Sequence, residues 1–345
     1  MEIKEPNLTE DQFKLIQDFL KKRINDRQFR VSIVGQTGVG KSSLINALFG
    51  TDLKTDPVKP CTKPELEGGE IPAIPIRNNL YFYDLPGIGE SDEADEGYLQ
   101  KYREHLQSSD VILWAIHADN RSVVFDLQSL KKIMEGYTLE HKAVLMSKLT
   151  FVLTKADVLH PPAWIAAKIG NIVKFVPSPE TKTTLEKKSD YYQETFIEPY
   201  ANLIVSKTYN DCNFSIQEQG FESDEKLKLI YYKGYMNAEK LKQYQQKYPQ
   251  YEKVFERLYD NYQVIPCSAV FRYNLNKLML VILNKLGYEA TIQFKKLVTG
   301  EALDEIPFDQ TENLCNLLVY DQQKQRVIFE FRRWLNTMKF GIFGN

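Results

Sequence analysis

The chain has 345 residues, of which 43% are hydrophobic and 26% are charged, and its formal net charge at pH 7 is −2. This length allows one large domain or two ordinary ones, and the composition is that of a soluble globular protein. The small net charge gives the chain as a whole no marked attraction to nucleic acid or to membranes.

The four cysteines are far apart and form no CxxC pair: Cys61, Cys212, Cys267 and Cys315. This pattern excludes a disulfide scaffold or a cysteine zinc cluster and fits a reducing cytosol. The sequence shows neither a secretory signal nor an apolar run of the roughly 20 residues that span a bilayer. We therefore expect a cytoplasmic protein without an integral membrane segment.

The N-terminal segment 1–28 predicts one amphipathic helix. Thr9 to Gln12 form a capping box, and the apolar residues that follow have helical spacing, at Phe13, Ile16, Phe19, Leu20 and Ile24.

From residue 29 onward, short strand-like runs alternate with helical ones. The predicted strands are 29–34, 80–83, 111–116, 150–153 and 263–266, and the predicted helices are 41–49, 93–107, 122–135 and 275–286. Such alternation predicts an α/β fold with a mostly parallel sheet and helices on both faces. Ligands of such sheets bind at the carboxyl ends of the strands.

A long interval interrupts this pattern. A βαβ step takes roughly 30 residues or more, whereas 111 residues separate Asp157 from Ser268. We expect a helical or mixed insertion at 191–262, with strand-like runs at 203–206 and 228–232 and a helical stretch at 238–262. The C-terminal region, 289–345, is predicted to be helical, with one apolar face formed by Val327, Ile328, Phe331, Trp334, Leu335 and Met338.

A phosphate-binding loop stands between the first strand and the first helix. Its sequence, Gly35-Gln36-Thr37-Gly38-Val39-Gly40-Lys41-Ser42, matches G-x-x-x-x-G-K-[ST]. Ser43 follows directly and is also expected to contact the nucleotide. The glycines let backbone N–H groups surround phosphates at a helix N-terminus. Lys41 would contact the β- and γ-phosphates, and Ser42 would bind Mg²⁺.

Two further segments complete a predicted metal and γ-phosphate site. Asp84-Leu85-Pro86-Gly87 follows a strand, so that Asp84 can hold Mg²⁺ and the Gly87 N–H can reach the γ-phosphate. Thr62 lies in a proline-bounded loop; it is either a switch residue that binds Mg²⁺ or an ordinary loop threonine.

A guanine site is predicted at two other strand ends. Thr154-Lys155-Ala156-Asp157 offers a carboxylate that accepts hydrogen bonds from guanine N1 and N2, whereas adenine has the opposite pattern. Lys155 would lie over the base. Cys267-Ser268-Ala269 can present a backbone N–H to guanine O6.

Together these elements resemble the Era-like (TrmE/Era/EngA-type) branch of P-loop GTPases. Residues 38–50 are similar to its P-loop and first helix. Residues 111–126, with Trp114 and Asp119-Asn120-Arg121, resemble the bacterial 50S-ribosome-associated subgroup, as do 153–164 and 268–278. The resemblance implies a P-loop NTPase G domain at 29–190 and 263–288 that binds GTP or GDP with Mg²⁺ and hydrolyses GTP slowly to switch partner binding.

The chain departs from related enzymes at two positions that concern the attacking water. Ile88 occupies the place of the Ras glutamine, and Gly38 stands where some relatives have an asparagine that holds potassium. Glu90, Asp92 or Arg121 could assist hydrolysis, or they are ordinary exposed charges.

Three functions therefore stay open: a hydrolysing GTPase switch, a nucleotide-gated binding or assembly module with negligible hydrolysis, and an ATPase in which Asp157 is coincidental. The expected partner is a protein or ribonucleoprotein, bound through the insertion and the C-terminal region, and a GTP-dependent dimer is a further expectation. The basic residues Arg326, Arg332, Arg333 and Lys339 indicate either an RNA- or membrane-contacting helix or the solvated face of a docked one.

Overall fold

The computed structural model describes residues 28–53, 73–77, 79–85, 96–120, 123–159, 164–226, 228–299, 303–307, 310, 318–321 and 326–330. The predicted N-terminal helix lies outside these residues. So do several residues with a predicted role in the site: Thr62, Gly87, Ile88, Glu90, Asp92 and Arg121.

The first half of the chain alternates strands and helices. Its elements are β1 (Phe29–Val34), α1 (Lys41–Phe49), β2 (Ile74–Arg77), β3 (Leu80–Asp84), α2 (Glu96–Ser108), β4 (Val111–His117), α3 (Val124–Glu135), α4 (Leu139–Lys148) and β5 (Leu149–Thr154). The apolar runs in these strands suit burial on both faces of a sheet.

The second half begins with a hairpin and continues through the insertion. Its elements are β6 (Trp164–Ile169), β7 (Ile172–Pro177), α5 (Pro179–Phe196), β8 (Val205–Tyr209), β9 (Phe221–Asp224), β10 (Leu229–Lys233), α6 (Ala238–Lys247), α7 (Glu252–Asp260), β11 (Ile265–Pro266), α8 (Leu275–Leu286), α9 (Tyr288–Thr299), β12 (Ile306–Pro307), β13 (Leu318–Asp321) and β14 (Arg326–Glu330).

One six-stranded sheet organises the nucleotide half, in the order β11-β5-β4-β1-β3-β2. All neighbours are parallel except β2, which is antiparallel to β3. Successive residues of β4 point to opposite faces, so that Leu113 and Trp114 belong to two separate buried clusters. The predicted α/β fold, with a mostly parallel sheet covered on both faces, is confirmed.

The insertion builds a small antiparallel sheet of its own, in the order β8-β10-β9. Helices α6 and α7 cover it around a buried cluster that includes Phe221, Ile230 and Phe255. The predicted single helical stretch at 238–262 is two helices, because Pro249 begins a short 3₁₀ turn between them. Helix α5 continues to Phe196, so the boundary that we expected after residue 190 falls inside a helix.

The C-terminal region was predicted to be helical, but its described part contains three strands after α9, namely β12, β13 and β14. Residues 326–330 form strand β14, paired antiparallel with β13, instead of helix. The helical prediction was wrong here because a short apolar run such as Val327–Phe329 satisfies either period and is β-branched at two positions. The residues after 330 lie outside the described part. Among the helices that the structure describes, none has the length and apolar character needed to cross a membrane.

Candidate functional site: a phosphate loop beside a guanine pocket

The P-loop leaves β1 with its backbone pressed against β4. Gly35 has a φ of 141°, and a Cβ built on it would lie 2.2 Å from the carbonyl oxygen of Ala115. No side chain fits there, so glycine is required at this position. Gly38 and Gly40 also have positive φ, of 77° and 97°. The loop is thus shaped to direct backbone N–H groups inward at the N-terminus of α1.

Lys41 and Ser42 begin α1 at the mouth of this loop. The Lys41 ammonium is buried and donates hydrogen bonds to the carbonyl oxygens of Gly35, at 2.9 Å, and of Gln36, at 3.1 Å. The Ser42 hydroxyl donates to Asp84 Oδ2 at 2.7 Å. The P-loop and the end of β3 therefore bring together a hydroxyl and a carboxylate, which are oxygen donors suited to Mg²⁺. Thr62, the third expected ligand, lies outside the described residues.

The end of β5 holds the P-loop from the side. The Thr154 hydroxyl donates to the carbonyl oxygen of Val39 at 2.6 Å. Lys155, with a φ of 54°, donates from Nζ to the carbonyl oxygen of Gly38 at 2.7 Å. Two side chains of the predicted guanine motif thus lie directly against the predicted phosphate motif.

Asp157 and Ser268 meet although they are far apart in the chain. The Ser268 hydroxyl donates to Asp157 Oδ1 at 2.6 Å and accepts the Phe271 N–H at 2.9 Å. The backbone N–H of Ser268 donates to the carbonyl oxygen of Tyr273 at 3.2 Å. The sequence predicts that a backbone N–H of Cys267-Ser268-Ala269 faces guanine O6. The N–H groups of Cys267 and Ser268 bond to the carbonyl oxygens of Leu153 and Tyr273, so Ala269 is the remaining candidate.

A cavity of about 260 Å³ joins the two motifs. Gly40, Ser43, Leu44, Thr154, Lys155, Asp157, Val158, Cys267, Ala269 and Val270 line it. Thr37 is exposed at the tip of the P-loop, and Val39 is buried beneath it. Apart from Thr62 and Gly87, which the structure does not describe, all the predicted site residues therefore lie at one edge of the sheet.

An aromatic cluster packs against the loop of residues 267–273, which is called the guanine loop below for its predicted role. The ring of Phe271 stacks on Phe175 of β7 with centroids 4.4 Å apart, and Trp164 of β6 packs on it edge-on at 5.3 Å. The β6–β7 hairpin was not predicted, because this contact joins residues that no local sequence pattern connects.

Asp126 is a second feature that motif reasoning missed. It lies in the first turn of α3, is 1% exposed, and accepts hydrogen bonds from Gln36 of the P-loop and from Trp114 of β4. Burial raises the pKa of this carboxyl, and the hydrogen bonds from Trp114, from Gln36 and from the backbone of Asp126 itself partly oppose the rise. His117, at the end of β4, has a lowered pKa, because of burial first and the nearby Lys155 ammonium second.

Comparison with known proteins agrees with this geometry. Residues 30–155 match the model of the family described as 50S ribosome-binding GTPase. The uncharacterized protein YfjP of Escherichia coli K12 is 33% identical over 171 residues, which are 48% of this chain and 52% of that protein. The tRNA modification GTPase MnmE of Porphyromonas gingivalis is 25% identical over 223 residues, 63% of this chain and 45% of that protein.

Among solved structures, a variant of Era from Aquifex aeolicus bound to GDP and AlF₄⁻ aligns with a TM-score of 0.31 and 21% identity, covering 51% of this chain and 49% of that one. The chain spans about half the length of the curated relatives it matches. The family match bears out the resemblance to Era-like GTPases that the motifs indicated. Residues 30–155 are therefore similar to the GTPase domain that this family model describes.

Proposed function

We propose that the chain binds GTP with Mg²⁺ and hydrolyses it slowly to GDP and phosphate, as a switch that controls the binding of a partner. One observation carries the guanine assignment: Asp157 is held by Ser268 at the edge of a cavity whose other wall is the P-loop. A fixed carboxylate at that place accepts from N1 and N2 of guanine and meets no matching donors on adenine.

The phosphates would lie on the backbone N–H groups of residues 35–43. Lys41, already at the mouth of the loop, would move from carbonyl oxygens to the β- and γ-phosphates. Ser42, Thr62 and Asp84 would hold Mg²⁺, which supplies positive charge to the phosphate oxygens. Phosphoryl transfer of this kind depends on positioning and charge stabilisation, to which Lys41 and the Gly87 N–H would contribute.

The test is phosphate release from purified protein in single turnover. Lys41→Ala should lower the rate by about 100-fold or more, because a cation that meets charge developing in the transition state is removed. Lys187→Ala, at an exposed position of α5, is the matched control and should keep the wild-type rate. A Lys41→Ala protein that hydrolyses GTP at the wild-type rate would contradict the assignment.

A second candidate is a nucleotide-gated binding or assembly module with negligible hydrolysis. The observation that favours it is the insertion, which has its own buried cluster and touches α8, the helix that follows the guanine loop. This candidate would bind a protein or ribonucleoprotein through the insertion. It gains support if wild-type protein binds GTP but releases no phosphate over hours, alone or with cell lysate.

For both candidates we propose a cytoplasmic location. A GTP-dependent dimer belongs to either proposal. Light scattering with GDP and with a non-hydrolysable GTP analogue tests it, and an unchanged mass in both would exclude the dimer.

A further inference from the structure

The Asp126 carboxylate is buried behind the P-loop, and the proposed function gives it no role. Its Oδ1 accepts from the indole N–H of Trp114 at 3.1 Å, and its Oδ2 accepts from the Gln36 amide at 3.0 Å. Both donors are neutral. A carboxylate in such a place costs more to bury than an apolar side chain of similar volume, so packing alone gives no reason for an aspartate there.

The Gln36 end of this contact lies inside the nucleotide loop. Gln36 directly follows Gly35, whose backbone is pressed on Ala115 of β4. The carbonyl oxygen of Gln36 accepts from the Lys41 ammonium at 3.1 Å. A continuous series of bonds therefore runs from Trp114 through Asp126 and Gln36 to Lys41.

The hydrogen bond between Gln36 and Asp126, called the tether below, is placed where it would affect nucleotide binding. Gly35 and Gln36 are the first residues of the P-loop and are called its first limb here. Glycine-rich backbone of this kind loses much conformational freedom when it becomes ordered. The second limb is held by Thr154 and Lys155, as described above. The Gln36 side chain holds the first limb, and a hydrogen bond to a carboxylate is stronger and more directional than one between neutral groups.

We infer that Asp126 is a positioning residue of the nucleotide site, which holds the first limb of the P-loop through Gln36 and so keeps the phosphate cradle and Lys41 in place before nucleotide binds. The inference rests on the proposed binding of GTP. It assigns to Asp126 and Gln36 no contact with the nucleotide.

The first experiment removes the tether alone. Gln36→Met keeps the length of the side chain but not its amide, whereas Asp126 keeps its bond to Trp114. Dissociation of a fluorescent GDP analogue should become about tenfold faster, which corresponds to about 1.4 kcal/mol. Gln128→Met, on the exposed side of the same helix α3, is the matched control and should release the analogue at the wild-type rate.

The second experiment exchanges the two groups. Gln36→Glu alone places two carboxylates at the 3.0 Å separation of the present bond and should release the analogue faster than Gln36→Met does. Adding Asp126→Asn restores a carboxylate–amide pair with the roles reversed, and the amide oxygen introduced at position 126 can still accept from Trp114. Dissociation from the double variant should return to within about threefold of the wild-type rate.

The outcomes separate this inference from the proposed function. A wild type that binds GDP, with a Gln36→Met variant that releases it at the wild-type rate, would overturn the inference alone. A double variant no better than Gln36→Glu would also overturn it, because a merely structural role predicts no rescue by exchange. A wild type that binds no guanine nucleotide would refute the proposed function and the inference together. Melting temperatures measured in parallel show whether each variant is folded.

Discussion

The substitution Ser268→Ala tests the proposed guanine pocket by removing the hydrogen bond between Ser268 and Asp157. The Ser268 hydroxyl is fully buried, donates to Asp157 Oδ1 at 2.6 Å and accepts from the Phe271 N–H at 2.9 Å. Alanine removes both bonds without adding volume. A hydrogen bond to a charged group contributes about 1.5–3 kcal/mol, so we expect affinity for GTP to fall roughly 10- to 150-fold.

The assay is a competition titration against a fluorescent GDP analogue, with GTP, ITP and ATP as competitors. ITP lacks the 2-amino group and so reports on one of the two bonds expected at Asp157. The ratio of GTP to ITP affinity should shrink in Ser268→Ala, because a loosely held carboxylate discriminates less. Weak binding of ATP should not change.

Ser223→Ala, in an exposed position on β9, is the matched control. The reasoning would be refuted if Ser268→Ala bound GTP as tightly as the wild type. An equal loss for GTP and ATP would refute it too, because the defect would then lie outside base recognition.

Two further substitutions test other contacts. Thr154→Val removes the hydroxyl that donates to the Val39 carbonyl oxygen, a hydrogen bond of about 1 kcal/mol. GDP dissociation should therefore become about fivefold faster in stopped-flow measurements. An unchanged dissociation rate would contradict this prediction. Lys285 is buried, donates to the carbonyl oxygen of Leu149 and has a pKa held well below 10.5 by burial. The unfolded chain therefore binds this proton more readily, and wild-type stability should rise with pH, by up to about 1.4 kcal/mol per unit between the folded and unfolded pKa values. Lys285→Met should lose that slope in urea unfolding measured at pH values below 10.5, and equal slopes for the two proteins would exclude it.

Local signals explain what could be predicted from the sequence. The P-loop, the first helix and the strand before it are read from contiguous residues, and α1 begins and ends where its pattern does. Asp84 and Asp157 were predicted because a parallel sheet brings the ends of its strands to one edge. Motif spacing and topology together therefore predicted most of the candidate site.

The rest depends on contacts that no spacing reveals. The Asp126–Gln36 bond and the stacking of Phe271 on Phe175 each join segments whose separation has no period. A backbone N–H of residues 267–269 was predicted to face guanine O6, but the contact of the Ser268 hydroxyl with Asp157 was not predicted, because it joins residues 111 positions apart in the chain. The edge strand β2 was not predicted. It is short and its pairing register with β3 is irregular, so its sequence shows no clear alternation of apolar and polar residues.

The 111-residue separation of Asp157 from Ser268 has a consequence for how the protein is made. The ribosome adds roughly 5–20 residues per second, so Asp157 emerges roughly 6–22 seconds before the serine that bonds to its carboxylate, and the P-loop emerges earlier still. The insertion, with its own buried cluster, is synthesised within that delay. A nascent chain can thus fold its small antiparallel sheet before its proposed guanine pocket is complete, because that pocket also needs Ser268 and Val270.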